Sequence, residues 1–381
     1  MRSTVCERET LVDGQEIFQN FLTCGSFVST DSGEIWIGIG IPRPSGAPDS
    51  TALSVFAPTF FLTDSQPWLL YPHFECVRAE DLLARLDTVA VPPLVAAGWE
   101  TSSSAAHAAA IADIQARIET GELVKAVPFV SLTGKMDFST PVRAWLLANA
   151  IRHAASQADR HPVGTVYGIW DADSGMIGLT PEILFTEDAR RSELPVLLTM
   201  ALAGTRRPGG LPLTEDAKEM MEHRIVVEGI AEQLSPLGQV QIGPVHEQEV
   251  PDLVHLCTPI EVWPHRRVEF GEWVAALHPT PAIGAWPREA GNRWLRAQLN
   301  ADLRGRYGAP FGVIPPGSHV GTCLVAIRNL QWTGNSARIL AGGGIVAASE
   351  PRREWREANA KLNAVLNSLG FSPIAVSESG E

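Results

Sequence analysis

The sequence predicts one large domain of the α+β class, and three observations support this prediction. Strand-like runs and helical patterns are interspersed without a regular βαβ rhythm, which argues against a doubly wound parallel sheet. The chain shows no internal repeat and no long proline- or serine-rich linker. Its 381 residues, 45% of them hydrophobic, are enough to bury a sizeable core. We therefore expect a single domain over residues 1–381.

The first hundred residues are typical of strands and turns. Runs rich in Val, Ile and Phe occupy 34–41 and 53–63 and are separated by Pro and Gly clusters. From Ser104, isoleucines recur at spacings of three and four, which predicts a helix that ends near Gly121. Strand-rich structure is thus expected to give way to a helix at about residue 104.

The middle of the chain alternates strand and helix patterns. The predicted elements are a strand at 123–132, a helix at 140–157, a hairpin at 165–188, a strand at 196–204 and helices at 214–234 and 288–304. Residues 245–264 follow neither period, and we expect irregular structure there.

The C-terminal part contains a glycine-rich turn that leads into a charged helix. Two predicted strands, at 319–334 and 336–346, lead into AGGGIVAASEPRREWREANAK at 341–361. Ser349 is expected to cap the helix, and Pro351 suits its first turn. Glycine amides and a helix N-terminus both favour an anionic ligand, so this stretch is a candidate anion site.

Composition and charge exclude several classes of function. The chain carries 43 acidic and 30 basic residues, a net charge of -13, without a long basic run, which argues against nucleic-acid binding. Its five cysteines contain no CxxC pair, which argues against a disulfide framework or a zinc site. A charged N-terminus and the lack of a long apolar segment predict a cytoplasmic protein without membrane contact.

Several glutamates are candidates for a divalent cation. Glu354, Glu357 and Lys361 fall at spacings that place them on one helix face, and Glu219 and Glu222 do the same on the predicted helix at 214–234. Mg²⁺ takes one or two protein carboxylates and admits an anionic ligand by reversing the local field. The alternative, solvated helix faces with an exposed ion pair, is the commoner arrangement for such spacings.

Three charged residues lie in apolar contexts. Arg328 in VAIRN is expected to be partly buried and to bind a carboxylate, from either a ligand or the protein. Lys125 in LVKAV is a candidate general base if burial lowers its pKa, or an edge lysine that reaches water. Glu182 in GLTPEILF is a candidate general acid or a surface turn residue.

Two histidines are better explained as loop supports than as metal ligands. His255 and His278 each lack a second histidine four residues on, the spacing typical of a helical zinc site.

Taken in order, these motifs resemble the chorismate-utilising enzymes, which include isochorismate, salicylate, anthranilate and aminodeoxychorismate synthases. The matching segments are LVKAV, GLTPEILF, LAGTRR, KEMMEH, HLCTPIE, LHPTPAIG, VAIRN, AGGGIVAASEP and WREANAK. They cover about residues 105–370, whereas the first hundred residues match only in being strand-rich. The resemblance implies one α+β domain of stacked antiparallel sheets with helices packed outside and a deep site.

The resemblance also implies roles for individual residues. The implied Mg²⁺ ligands are Glu222 and Glu357, supported by Glu219 and Glu354. Residues implied to hold the substrate's carboxylates are Arg328, Lys361, Gly342, Gly343 and Gly344. Glu182 matches the acid that protonates the departing C4 hydroxyl, and the pocket is implied to be lined by Thr205, Thr258 and His278.

Two positions indicate which member of the family the chain resembles. Lys125 stands where members that use water have lysine and members that use ammonia usually have glutamine. Ala203 stands where aminodeoxychorismate synthases can carry a nucleophilic lysine. After Lys125, Pro128 and Phe129 depart from the family pattern, and Pro128 is expected to end or bulge the strand early.

The activity that this resemblance implies is Mg²⁺-dependent isomerisation of chorismate to isochorismate, by water addition at C2 and loss of the C4 hydroxyl. The pathway served would be siderophore or menaquinone synthesis. Alternatives are a salicylate synthase, an amine-transferring anthranilate or aminodeoxychorismate type with a separate amidotransferase subunit, and a non-catalytic chorismate-binding protein.

Overall fold

The computed structural model describes residues 14–30, 33–90, 98–157, 164–250, 253–298 and 301–374. In these ranges the helices are α1 (Gly14–Thr23), α2 (Ala79–Leu86), α3 (Ser104–Glu119), α4 (Thr140–Gln157), α5 (Ala217–Leu234), α6 (Phe270–Leu277), α7 (Arg288–Ala297) and α8 (Pro351–Ser368). Short 3-10 helices lie at Leu213–Glu215 and Ala301–Arg304.

The strands up to β11 come from the first half of the chain. They are β1 (Gly25–Ser29), β2 (Glu34–Ile39), β3 (Arg43–Ser45), β4 (Leu53–Phe56), β5 (Trp68–Tyr71), β6 (His73–Arg78), β7 (Glu100–Thr101), β8 (Lys125–Ala126), β9 (Phe129–Lys135), β10 (Thr165–Trp170) and β11 (Ser174–Thr180).

The remaining strands come from the second half. They are β12 (Ile183–Asp188), β13 (Val196–Arg206), β14 (Gly238–Ile242), β15 (His246–Val250), β16 (Leu253–Pro264), β17 (Ala285–Trp286), β18 (Pro310–Ile314), β19 (Thr322–Val325), β20 (Asn329–Thr333) and β21 (Ser336–Gly342).

Two large antiparallel sheets form the centre of the fold. One sheet has the order β6-β2-β1-β10-β11-β20-β21-β9-β7, and the other β14-β16-β13-β12-β19-β18-β4-β5-β3, with β15 paired to β16. Apolar residues such as Val55, Tyr167 and Phe311 pack together between the sheets. Helices α1, α2, α4 and α8 cover the outer face of the first sheet, and α3 and α5 to α7 cover the second. This arrangement confirms the predicted class of stacked antiparallel sheets with helices outside.

Several predicted elements are confirmed with small changes. The helix at 140–157 has the expected bounds, and Val226, on the predicted helix at 214–234, is fully buried. The predicted strand at 123–132 is split: β8 pairs with β17, whereas β9 belongs to the first sheet. Pro128 lies at the split, in agreement with the expected early end of the strand.

Other expectations are wrong. Residues 245–264 contain the whole of β15 and β16 instead of irregular structure, because polar HEQEV and the interior Pro259 hide the strand pattern. Ser349 does not cap α8: Glu350 is the N-cap residue, and the Ser349 hydroxyl accepts from the Val346 amide. Pro351 does occupy the first turn. The predicted helix at 288–304 ends at Ala297.

Two expectations fall partly outside the described residues. The charged N-terminus, with Cys6, precedes residue 14, and the polar tail continues beyond residue 374. Within the described ranges, no helix is both long and apolar enough to cross a membrane.

Candidate active site

A small cavity lies where the two sheets meet α5 and α8. Its volume is about 50 Å³. Residues from distant parts of the chain line it, and those that the sequence had singled out are Glu182, Ala203, Thr205, Glu222, His255, Arg328, Gly342, Gly344 and Lys361. The lining combines acidic and basic side chains with the backbone of glycine residues. Such a wall suits an anionic ligand whose reaction moves protons.

Glu182 lies where the chain passes from one sheet to the other. It follows Pro181 between β11 and β12, and its amide donates to the Thr180 hydroxyl at 3.2 Å. The side chain is buried, and desolvation raises the pKa of Glu182 to about 7, against the opposing charges of Lys125 and Lys361. A carboxyl group in this environment keeps its proton near neutral pH and can donate it.

Lys125 is fully buried in β8, and its ammonium faces α5. Its Nζ lies 3.2 Å from Oε1 of Glu222, an ion pair whose geometry is not that of a hydrogen bond. Burial lowers the pKa of Lys125, whereas the Glu222 carboxylate opposes that shift. Lys125 also acts electrostatically on Glu182, and it contacts Glu222, which lines the cavity together with Glu182.

Lys218 lies at the centre of a carboxylate cluster. Its Nζ is 3.2 Å from Glu219, 3.0 Å from Glu222 and 3.0 Å from Glu354. Burial alone would lower the pKa of Lys218, but Glu222 and the other carboxylates raise it above the ordinary value. Burial opposes ionisation of Glu222 as well, yet Lys125 and Lys218 lower its pKa to about 2. The cluster therefore holds an ammonium ion among its carboxylates.

Glu354 is the least satisfied member of this cluster. It is 1% exposed, and neither carboxylate oxygen has a hydrogen-bond partner. Burial and the neighbouring Glu357 raise the pKa of Glu354 to about 7. A buried carboxylate without hydrogen bonds costs free energy unless a cation compensates it.

The glycine turn allows carboxylates from both helices to approach each other. A Cβ on Gly344 would lie 2.1 Å from Oε1 of Glu222, and a Cβ on Gly343 would lie 3.2 Å from Oε2 of Glu354. Any side chain at Gly344 would therefore displace the carboxylate of Glu222. The absence of side chains leaves the space between α5 and α8 to carboxylate oxygens.

This donor set fits a hard divalent cation. Carboxylate oxygens are the ligands that Mg²⁺ prefers, and the orphaned Glu354 lies beside them. Across the described part of the chain, no three acidic, histidine or cysteine side chains are already grouped at metal-binding spacing. The Lys218 ammonium stands among three of these glutamates and supplies the positive charge that they share.

Lys361 and Glu357 join α8 to the glycine turn. The Lys361 ammonium donates to the Gly342 carbonyl at 2.8 Å and to Oε1 of Glu357 at 2.7 Å. This is the i,i+4 pair expected from the sequence, but it is mostly buried instead of exposed. Lys361 therefore presents its charge at the cavity wall.

Arg328 is held by a histidine. It lies in the break between β19 and β20 with φ of 55°, a backbone conformation that non-glycine residues rarely adopt. Its Nη2 lies 3.3 Å from Nε2 of His255, whose Nδ1 faces the Gly204 carbonyl at 3.1 Å. Because a carbonyl only accepts, Nδ1 carries the proton and Nε2 accepts from Arg328. Burial and the Arg328 charge keep the pKa of His255 well below its ordinary value, so the imidazole is neutral.

The segment that carries Thr205 contains a bulge in β13. The register shifts between Ala203 and Thr205, and Gly204 has φ of 80°. The Thr205 amide donates to Oε2 of Glu219 at 2.9 Å, and its hydroxyl lies 3.0 Å from Nδ1 of His255. Thr205 thereby links the carboxylate cluster to the Arg328 support.

Two residues that were expected in the pocket contact other parts of the protein. Thr258 contacts Nε2 of His223 through its hydroxyl at 2.7 Å, and neither residue is among those described as lining the cavity. Nε2 of His278 lies 2.6 Å from the Phe60 carbonyl oxygen, and the imidazole packs against the Phe60 ring. Thr258 and His278 thus contact neighbouring elements, and their expected place in the pocket lining stays a prediction.

A larger cleft adjoins the cavity. Its volume is about 610 Å³, and it shares Thr205 with the cavity and includes Glu357. Its basic residues are Arg206, Arg207, Arg353 and Arg356. In a chain of net charge -13, this basic cleft provides an approach for an anion.

Two residues of the site escaped sequence reasoning. Lys218 precedes the glutamates at positions that suit a solvated helix face, and only its four-residue spacing to Glu222 signalled a contact. His255 was interpreted as a loop support, because contact with Arg328 joins residues far apart in sequence. The contacts of Lys218 with Glu354 and of His255 with Arg328 have no local signature.

The fold and the site together define the class: an α+β protein of stacked antiparallel sheets whose cavity is lined by acidic and basic groups. A comparison with models of protein families identifies the family to which the chain belongs. Residues 83–370 match the model described as chorismate binding enzyme, and the chain belongs to this family. The expected family resemblance is thus confirmed.

Individual relatives agree with this assignment. The chain is 33% identical over 231 residues to a salicylate biosynthesis isochorismate synthase from Pseudomonas aeruginosa, covering 55% of this chain and 45% of the relative. It is 31% identical over 223 residues to isochorismate synthase EntC from Escherichia coli, covering 56% of each chain. The matches span about half the length of these curated relatives.

A solved structure has the same fold. MenF, the menaquinone-specific isochorismate synthase from Escherichia coli, superposes with a TM-score of 0.74 at 20% identity, covering 95% of this chain and 92% of that one.

Proposed function

We propose that this chain is an Mg²⁺-dependent isochorismate synthase. It converts chorismate to isochorismate by adding water at C2 while the C4 hydroxyl leaves. The proposal rests on family membership and on the relatives that bear this name.

The single observation that carries the chemistry is that Glu182 lines the cavity together with Glu222, whose carboxylate lies 3.2 Å from Nζ of the buried Lys125. Lys125 and Glu182 come from segments that are distant in sequence, and their charges interact. One is a lysine whose pKa burial lowers, and the other a glutamic acid whose pKa burial raises to about 7. A base and an acid with shifted pKa values, facing one substrate, suit a reaction that takes a proton from one oxygen and gives one to another.

Each residue has a defined task in this reaction. Neutral Lys125 accepts a proton from the water whose oxygen forms the new bond at C2. The ring double bonds shift, and the C4–oxygen bond breaks as Glu182 gives its proton to the departing hydroxyl, which leaves as water. Proton return from Lys125 to Glu182 through solvent restores the enzyme. Water is both consumed and released, so the overall change is an isomerisation.

Binding of the substrate falls to the basic groups of the wall. Arg328, oriented by neutral His255, would bind a substrate carboxylate. Lys361 and the glycine turn lie on the neighbouring wall, where backbone amides can approach a second carboxylate closely. The cavity of about 50 Å³ is smaller than the roughly 300 Å³ typical of small-molecule sites, so substrate entry requires its walls to move apart.

Glu222 and Glu357, supported by Glu219 and Glu354, would hold the Mg²⁺ ion. When bound, Mg²⁺ supplies the positive charge that neutralises the ring carboxylate of the substrate. Lys218 and Lys361 already balance part of the negative charge of these glutamates.

Product analysis tests this proposal. The protein is incubated with chorismate and Mg²⁺, with and without ammonia, and the products are identified by mass spectrometry. We expect isochorismate in both cases, with no aminated product. Anthranilate or an aminated intermediate would refute the assignment, and the absence of any product would favour a binding protein without turnover.

Salicylate is the informative alternative product. A salicylate synthase would release pyruvate from isochorismate in the same pocket, so salicylate and pyruvate would appear together. Isochorismate that accumulates without either supports the proposed end point.

A further inference from the structure

A second cavity, separate from the candidate active site, lies on the other side of the segment that carries Lys125. Its volume is about 90 Å³, several times the roughly 10–15 Å³ that one water molecule needs. It is bounded by the start of α3, the chain from Val127 to Val130, α7 and Arg304. None of the residues proposed for chorismate chemistry lines it.

His107 faces this cavity without a partner. It is 5% exposed, and neither Nδ1 nor Nε2 has a hydrogen bond. Burial lowers the pKa of His107 to about 4, so the ring is neutral near pH 7 and offers one N–H donor. A buried polar atom without a hydrogen-bond partner costs free energy, and a ligand that accepts from it would remove this cost.

Arg304 brings a buried positive charge to the same cavity. It is 3% exposed, and its guanidinium donates to the carbonyls of Ile283 and Val127, each at 3.3 Å. Among the described residues that line the cavity, there is no Asp or Glu to pair with it. The charge is supported by the rings of Phe60, Phe129 and Tyr307. Buried charges are ordinarily paired, so this arrangement lacks its anion.

The first turn of α3 adds to the positive potential. Ser103 is the N-cap residue of this 16-residue helix, and Ser103, Ala106 and His107 all line the cavity. A helix N-terminus favours negative charge. Three independent features therefore favour an anion at one place in a chain whose net charge is -13.

The remaining walls are apolar. Val127, Pro128, Trp294 and Leu295 face the cavity together with Ala110. A strongly hydrated inorganic anion would lose its hydration shell against these side chains, whereas a short hydrocarbon chain would pack on them.

From this juxtaposition we propose that the cavity between α3, α7 and Arg304 binds a short-chain carboxylate. The carboxylate lies between Arg304 and His107 at the start of α3, and the hydrocarbon part packs against the apolar walls. The site is independent of chorismate turnover. Arg304 also donates to the carbonyl of Val127, two residues after Lys125, and to the carbonyl of Ile283, which lines the substrate cavity. The ligand therefore contacts a residue that supports both of these segments.

Binding of sodium propionate to the full chain tests the proposal, by saturation-transfer NMR and calorimetry without chorismate. Propionamide serves as the uncharged isostere, and inorganic phosphate as the alternative anion. We expect propionate to bind. Propionamide should bind at least about tenfold more weakly, since it lacks the charge that strengthens the hydrogen bonds. Phosphate should also bind at least about tenfold more weakly, because it would lose its hydration shell against the apolar walls.

Variants locate the site. His107→Phe removes the N–H but keeps a ring, and Ala110→Leu fills the cavity; both should weaken propionate binding at least about tenfold. Ala109→Leu adds the same side chain on the same helix, at an exposed position that does not line the cavity, and should leave binding unchanged. His107→Phe removes only polar atoms without partners, so this variant should fold even if Ala110→Leu does not.

Several results would overturn the proposal. The absence of propionate binding would mean that the cavity holds only water. Equal binding of phosphate or propionamide would refute the carboxylate assignment. Full binding in His107→Phe would place the propionate elsewhere. Because no measurement uses chorismate, these failures are distinct from a failure of the proposed enzyme activity.

Discussion

Nζ of Lys125, at the start of a two-residue strand, lies 3.2 Å from Oε1 of Glu222, on the first turns of α5. This contact connects the proposed base directly to the proposed metal cluster. It also explains why Gly344 carries no side chain, since a Cβ there would lie 2.2 Å from Cε of Lys125 and 2.1 Å from the Glu222 oxygen.

Replacement of Gly344 by alanine should therefore disable the site. We expect Gly344→Ala to lower kcat/KM for chorismate by roughly 100-fold or more, because it displaces both the base and a carboxylate ligand. Gly271→Ala is the matched control, since a Cβ there meets no atom within 4 Å. Steady-state kinetics of both variants measure the effect, and near-normal activity of Gly344→Ala would contradict the described geometry.

Replacement of Lys125 should remove turnover but leave binding. General-base catalysis contributes about 10²–10⁴-fold, so Lys125→Gln should lower kcat by that range. The affinity for chorismate, measured by calorimetry on the inactive variant, should change much less, because Arg328 and Lys361 remain. Isochorismate formation at the full rate would refute Lys125 as the base even if the activity is correct.

Glu182 should determine the alkaline limb of the pH profile. Its acid form is required, and its pKa is raised to about 7, so activity should fall as the pH rises through that value. Glu182→Gln should lose most of the turnover, and its residual activity should lack this limb. A limb that persists unchanged in Glu182→Gln would assign the titration to another group.

The same shift predicts an effect on stability. A carboxyl whose pKa is raised on folding, from 4.5 to about 7, stabilises the fold when protonated, and this contribution is lost as the pH rises through that window. At about pH 8, Glu182→Gln should therefore be more stable than the unmodified chain, by at most roughly 3 kcal/mol. Near pH 4 the two should differ little, and thermal unfolding at both pH values measures the difference.

Lys218 should influence the metal response without contacting substrate. Lys218→Met leaves Glu219, Glu222 and Glu354 without their shared ammonium, and loss of one partner of a buried ion pair costs about 3–5 kcal/mol. We expect a lower melting temperature that added Mg²⁺ restores in part, with a larger Mg²⁺-dependent shift than in the unmodified chain. An equal Mg²⁺-dependent shift in both proteins would separate the cation site from this cluster. Lys135→Met, on an exposed lysine, is the control.

His255 should act on binding through Arg328. His255→Phe removes the acceptor that orients the guanidinium, and we expect KM for chorismate to rise roughly tenfold or more with a smaller change in kcat. His246→Phe, at an exposed histidine, is the control. A fall in kcat at unchanged KM would mean that His255 takes part in the chemical step instead of positioning Arg328.

Much of this architecture was predictable, and its exceptions have physical causes. Periodic apolar residues predicted helix α4 and the buried face of α5 that carries Val226. Pro128 predicted the end of the strand after Lys125. Both signals are local in the sequence. Strand β16 escaped prediction because its order comes from pairing with β13 and β14, despite Pro259 within it. Tertiary pairing outweighed local propensity there.

The site shows the same division. The resemblance assigned Glu182 and Lys125; the structure has Glu182 in the cavity lining and Lys125 in contact with Glu222, another lining residue. Neither pattern nor resemblance placed Lys218 among the glutamates, because its contact with Glu354 depends on the approach of α8 to α5. Nor did they show that His278 turns toward the Phe60 carbonyl, since that contact joins residues more than 200 positions apart.

The most direct test of the central claim is the origin of the new hydroxyl. Chorismate and Mg²⁺ are incubated with the protein in water enriched in heavy oxygen, and the isochorismate is analysed by mass spectrometry at early times. The account predicts one heavy oxygen atom per product molecule, located at C2, because the oxygen at C4 leaves and a solvent oxygen enters. Isochorismate without the label would show that no solvent water is added, and would contradict the proposed roles of Lys125 and Glu182.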